Sequence, residues 1–127
     1  MAFVVEDPDR HAGQVVANGH CVRFAQEAAR RLPHTSQWRR GARVRYGNVP
    51  PGTVIATFES NGCYGNHIDG RSHAAILVAE EAGGLRVWDQ WVGHPVQQRL
   101  IRFRDGAGKP VNDGDAFHVV ETEESLA

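Results

Sequence analysis

Residues 72–91 read Ser72-His73-Ala74-Ala75-Ile76-Leu77-Val78-Ala79-Glu80-Glu81-Ala82-Gly83-Gly84-Leu85-Arg86-Val87-Trp88-Asp89-Gln90-Trp91. Two short apolar runs, His73 to Val78 and Leu85 to Asp89, flank a turn composition at Glu80 to Gly84, which predicts an antiparallel hairpin. If Leu77 pairs with Leu85, Ala75 faces Val87 and His73 faces Asp89. Side chains alternate with period two, so all six then share one face. Directly opposed Cβ atoms lie ~4.5–5.5 Å apart, close enough for Asp89 to accept a hydrogen bond from one imidazole nitrogen. The apolar pairs favour this register, and a one-residue bulge would set Trp88 or Gln90 opposite His73 instead. A His–Asp pair on an otherwise apolar face leaves the second ring nitrogen free for a nucleophile.

The nucleophile is sought on a helix. Residues 21–32 run Cys-Val-Arg-Phe-Ala-Gln-Glu-Ala-Ala-Arg-Arg-Leu. Cys21, Val22, Ala25, Ala28, Ala29 and Leu32 recur at helical spacing and form one apolar stripe. Asn18-Gly19 precedes the helix as its expected cap, Arg30 and Arg31 suit its C-terminal end, and Pro33 stops it. Cys21 thus falls in the first turn, where the exposed N–H groups and the helix dipole favour a thiolate. The same N–H groups can stabilise the oxyanion of a tetrahedral intermediate. Cys, then His, then an acid, with Cys on a helix and the others on strands, is the order of a papain-type triad: Cys21 nucleophile, His73 base, Asp89 orienting the imidazole.

Each residue also has a plain structural reading. A helix cysteine is often a small core filler, an interior histidine is often merely satisfied, and a strand carboxylate often sits at an edge. Three such residues in the required order, on compatible elements, favour the site. Cys63, His67 and His73 sketch a zinc site, but structural zinc wants four ligands in paired short spacings and no second pair is present. No metal and no cofactor are expected. His20 reads as a cap or wall residue, Ser72 as strand-edge polar, and Trp38, Trp88 and Trp91 as core or groove lining.

Around this nucleus, Thr53 to Phe58, Leu100 to Phe103 and Ala116 to Val120 are further strand candidates. The stretch through Gly47 to Gly52 reads as turns. Residues 59–72 have three glycines, two asparagines and two serines, a loop composition; this loop leads into His73 and is expected to wall the cleft. Glu121 to Ala127 reads as a fraying polar tail. One helix followed by about five antiparallel strands is an α+β pattern. The 127 residues are expected to form one domain, residues 1–127.

Fourteen basic against fifteen acidic side chains give a net charge of −1, no basic field for nucleic acid or anionic lipid. No apolar run approaches the ~18–20 residues that span a bilayer, so no membrane partner is expected. The start, Met1-Ala2-Phe3-Val4-Val5 followed by Glu6, Asp7 and Asp9, lacks the basic opening and apolar stretch of a secretory signal. The expected site of synthesis is the cytoplasm. Two cysteines are too few for a disulfide framework, and a Cys21–Cys63 bridge would consume the nucleophile.

These residues also carry a resemblance. Asn18-Gly19-His20-Cys21-Val22 opening a helix resembles the nucleophile segment of the NlpC and CHAP cell-wall cysteine peptidases. Trp38 to Gly41 and Pro51 to Ala56 resemble their linker and first core strand. Ser72 to Ile76 is similar to the histidine strand, and Val87 to Trp91 to the strand bearing the third polar residue. The similarity runs from about Gly13 to Phe103 and is closest to short members that resemble type VI secretion amidase effectors. It implies a papain-like fold with the N-terminal catalytic helix packed on the sheet. It also implies hydrolysis of amide bonds in peptidoglycan stem peptides or cross-links. Cys21 and His73 carry over directly; Asp89 carries over at a position where relatives use His, Asn, Asp or Glu. The remaining implications are a monomer, a cognate immunity protein, and action in the periplasm of a target bacterium. An acyltransferase or deamidating toxin on the same triad stays open, as does a cell-wall binding module without turnover.

Overall fold

The computed structural model describes residues 2–126. One antiparallel sheet organises them, in the order β1-β6-β2-β3-β4-β5. The strands are β1 (Arg39–Arg43), β2 (Val54–Thr57), β3 (Ala74–Glu81), β4 (Gly84–Trp91), β5 (His94–Arg102) and β6 (Phe117–Glu121). The α+β expectation holds, with six strands instead of about five. The unforeseen strand, β1, is an edge strand of sequence Arg-Arg-Gly-Ala-Arg. It carries no apolar alternation because little of it is buried, and charged side chains are what protect an exposed edge.

Both faces of the sheet are covered, so β2 is buried along its whole length. The helix α1 (Cys21–Ala28) lies on one face, where Phe24, Ala25, Trp38, Val54, Ala56, Ala74, Ile76 and Val120 form one core. Ile55, Ala75, Leu77, Leu85, Val87, Ile101, Phe117 and Val119 form the other. The helix is shorter than its sequence pattern predicts, ending at Ala28 instead of Leu32. Pro33 disfavours helical geometry in the residue before it, and the chain turns through Leu32 N–H to Ala29 C=O (2.9 Å), keeping Leu32 buried. The cap also differs: His20 is the N-cap and its side chain makes no capping bond. Asn18 instead accepts from the His20 N–H at 3.0 Å, closing the turn ahead of the helix. Gly19 completes that turn at φ +85°, a conformation open to glycine without strain.

The β3–β4 hairpin is real, but its register is not the expected one. Leu77 pairs with Val87 and Ile76 with Trp88, and a bulge at Val78 takes up an odd residue before the Glu81–Gly84 turn. Continued, this pairing sets Ala75 opposite Asp89 and places His73 diagonally from it. The displacement is by two residues, so His73 and Asp89 keep the same face. β5 is longer than expected because His94 to Arg99 pair with β4 without an apolar pattern of their own. At the C-terminus Glu123–Leu126 forms a short second helix, α2, in place of a fraying tail. Ser125 and Thr122 exchange bonds there (Thr122 N–H to Ser125 Oγ, 2.8 Å). No helix among the described residues is long and apolar enough to cross a membrane.

Candidate active site

The ends of α1, β3 and β4 converge. Cys21 is the first residue of α1, and His73 immediately precedes β3, with its backbone N–H bonded to Thr57 Oγ1 of β2 at 3.0 Å. Asp89 lies within β4. His73 Nε2 is 2.8 Å from Asp89 Oδ2, and both side chains are almost wholly buried. Nε2 being committed to the carboxylate, the other ring nitrogen, Nδ1, is left for the thiol. The Cys21 thiol interacts electrostatically with the His73 side chain, and the Tyr64 hydroxyl lies 4.0 Å from Sγ. The sequence-derived trio therefore meets in space, although by a diagonal rather than a directly opposed strand pair.

The electrostatics favour an ion pair. Burial pushes the Cys21 thiol up, but the hydrogen bond and charge of His73, the Ala74 N–H and the Tyr64 hydroxyl outweigh it and leave the thiol below its ordinary value. Burial pushes His73 down, yet its bonds to Asp89 and Cys21 prevail and raise it to about 9. Asp89 is likewise desolvated, and His73 and Arg99 together hold its carboxyl below the usual range. Burial and the neighbouring thiolate push the Tyr64 phenol far up, so it stays protonated and can donate.

Three further residues complete the constellation. Arg99 of β5 donates from Nε (3.0 Å) and Nη2 (2.8 Å) to Asp89 Oδ2, the oxygen that also meets His73. Gln90, fully buried on the opposite face of β4, grips the segment that launches α1: its Oε1 accepts from Val16 N–H at 2.9 Å. Its Nε2 donates to the carbonyls of Val16 (2.9 Å) and His20 (3.0 Å). Adjacent residues of one strand thus hold the imidazole and the helix that begins at Cys21, because side chains alternate. Tyr64 packs on Trp38 with ring centroids 4.8 Å apart. A buried-strand glutamine between two tryptophans was the one legible hint among these. Nothing in the pattern around Arg99 or Tyr64 distinguishes them from surface and loop residues.

The site opens into a cleft of about 580 Å³. His67, Ile68 and Gly70 of the 59–72 loop form one wall, as expected, and Trp91, Val92 and Arg99 of the β4–β5 hairpin form the other. His20 lines the mouth, which makes it a wall residue. Ile68 and Val92 are strongly exposed, so the rim is apolar. His67 Nε2 is engaged by Glu59 at 2.6 Å, and among the described residues no group of three or more His, Cys, Asp or Glu could hold a metal. Cys21 and Cys63 are both free thiols. Cys63 bridges to Arg39 at the sheet edge, anchoring the loop that carries Tyr64.

Comparison with known proteins finds relatives named amidase effectors. The family model described as domesticated amidase effector 2 matches residues 1–120. The domesticated amidase effector 2 of Ixodes scapularis is 38% identical over 127 residues, covering 94% of this chain and 85% of that protein. The type VI secretion amidase effector 2 protein of Salmonella typhi is 38% identical over 121 residues, covering 84% of this chain and 88% of the relative. A solved structure of type 6 secretion amidase effector 2 superposes with a TM-score of 0.79 at 34% identity, covering 95% of each chain. With its model matching nearly the whole length and two full-domain relatives above one-third identity, this chain belongs to the domesticated amidase effector 2 family.

Proposed function

We propose that the chain is a papain-like cysteine amidase that hydrolyses amide bonds in the peptide moiety of peptidoglycan, as an antibacterial type VI secretion effector. Delivery into the periplasm of a target bacterium would bring it to that substrate, with an immunity protein guarding its producer. The observation that carries the reading is the buried Asp89–His73 pair joined to a Cys21 thiol that opens into the cleft. The names of the relatives agree with amide hydrolysis.

In this reading the Cys21 thiolate attacks the scissile carbonyl carbon, and the carbonyl electrons move onto oxygen. The first-turn N–H groups of α1, which have no side-chain cap, are placed to receive that oxyanion. As the C–N bond breaks, His73 gives its proton to the departing amine and becomes neutral. His73 then takes a proton from water, whose oxygen attacks the thioester and releases the acid and free Cys21. Asp89 orients the ring and stabilises the imidazolium throughout.

The test is digestion of purified peptidoglycan followed by mass spectrometry of the released fragments. Wild type should yield newly cleaved stem-peptide amides, and Cys21→Ala should lose roughly a thousandfold or more while unfolding at the wild-type denaturant midpoint. A folded Cys21→Ala with activity within tenfold of wild type would remove the nucleophile assignment. Products carrying a transferred acyl group instead of a free acid would make the enzyme a transferase.

A further inference from the structure

The carboxylate that orients His73 is shared. Asp89 Oδ2 meets His73 Nε2 at 2.8 Å and Arg99 at 3.0 and 2.8 Å, in a position only 2% exposed. Resting on the triad reading above, we propose that Arg99 is a positioning residue of the reaction: it keeps Asp89 charged while His73 is neutral, so that His73 can serve as a base in the second half of turnover.

The reason lies in the proton inventory of the cycle. In the resting ion pair, the imidazolium neutralises the buried carboxylate. Once His73 has protonated the leaving amine, that countercharge is gone, and a buried unpaired carboxylate is strongly disfavoured. Two escapes then exist: His73 regains a proton from solvent, or Asp89 takes one. Either spoils the activation of the hydrolytic water, since the first removes the base and the second removes its orienting anion. Arg99 prevents both, because a guanidinium stays charged at every working pH.

The side chain is built into place. Its Nη2 also reaches the Val111 carbonyl (3.4 Å), Nη1 reaches Asn112 Oδ1 (3.5 Å), and the guanidinium lies over the Trp91 ring at 5.1 Å from its centroid. Around His73 the other groups are Cys21 from α1, itself beside Tyr64 of the loop, and Thr57 Oγ1 from β2 at the backbone N–H, with Trp91 and Phe117 as aromatic neighbours. Arg99 is thus the permanent cation on the Asp89 side of the imidazole. A neighbouring charge moves a pKa by roughly one to three units. Arg99 is about a quarter exposed, with 24% of its side chain open to solvent, which sets its effect at the low end.

Removing that cation should make His73 harder to deprotonate. The probe is p-nitrophenyl acetate, with the burst of p-nitrophenolate reporting acylation and the steady rate reporting deacylation. In Arg99→Met the burst should persist while the acid limb of the steady rate moves up by about one pH unit, slowing deacylation about tenfold below that limb. Arg99→Lys, which keeps the charge but loses the guanidinium fork and its stacking on Trp91, should move the limb less than Arg99→Met does. An unmoved limb in folded Arg99→Met, or an equal shift in Arg99→Lys, overturns the proposal. If Cys21→Ala still shows the burst, the triad reading itself fails. A burst lost in Cys21→Ala with an unmoved Arg99→Met limb refutes only the role of Arg99.

Discussion

Replacing Gln90 with leucine would test whether β4 positions the nucleophile as well as the imidazole. The side chain is fully buried and bonds to Val16 N–H, Val16 C=O and His20 C=O. Leucine fills nearly the same volume, so cavity formation contributes little. The two carbonyls each retain a backbone donor, Gly19 N–H at 3.0 Å and Phe24 N–H at 3.3 Å. The Val16 N–H loses its partner, and Val16 is 7% exposed, leaving that donor desolvated. An unsatisfied buried donor costs about 1–3 kcal/mol, and losing the second bond at two carbonyls adds about 1, giving about 2–4 kcal/mol in all. Activity should fall further than stability, because the 16–20 segment sets where α1 begins, and a displacement of about 1 Å at a nucleophile costs roughly a hundredfold. Urea unfolding gives the stability change. Iodoacetamide alkylation of Cys21 and peptidoglycan turnover, both measured where the variant is fully folded, give the positioning effect. Gln90→Leu within 0.5 kcal/mol of wild type, with unchanged alkylation and turnover, would refute the clamp.

Asp89→Asn should lower turnover on the order of a hundredfold, less than Cys21→Ala, since it weakens orientation and imidazolium stabilisation without removing a reacting group; neutrality in a turnover assay would detach Asp89 from the site. For the acylation step, kcat/KM against pH should be bell-shaped, with a basic limb near 9 where His73 of the free enzyme loses its proton and an acid limb below the ordinary thiol value. The sign for stability is the same: the raised pKa of His73 contributes fully below about 6.5 and is lost as pH rises through about 9, which urea midpoints across that window would detect. Cys63→Ser should stay within about 0.5 kcal/mol of wild type and keep full activity, as a free thiol bridging the sheet edge only through its backbone; a matching loss of peptidoglycan turnover would give Cys63 a role.

Local pattern carried much of the molecule. The hairpin, the helix start at Cys21 and the placement of His73 and Asp89 on one face follow from periodicities of two and 3.6 and from the turn and stop residues between them. A register error of two residues still left His73 and Asp89 on one face, because parity and not exact pairing decides the face. Other features had no local signature. β1 and the first half of β5 are edge segments rich in Arg, Gln and His and without apolar alternation; β1 is held in the sheet by β6, far away in sequence, and β5 by its hairpin with β4. Arg99 joins the site through such a pairing, ten residues beyond Asp89 along the hairpin. Gln90 bonds across seventy-four residues to Val16, and Tyr64 across forty-three to Cys21. Sequence alone determined which residues are candidates for the chemistry, since that depends on residue type and local geometry. Tertiary structure decided which groups hold them, because a hydrogen bond between distant segments exists only once the sheet has brought both ends together.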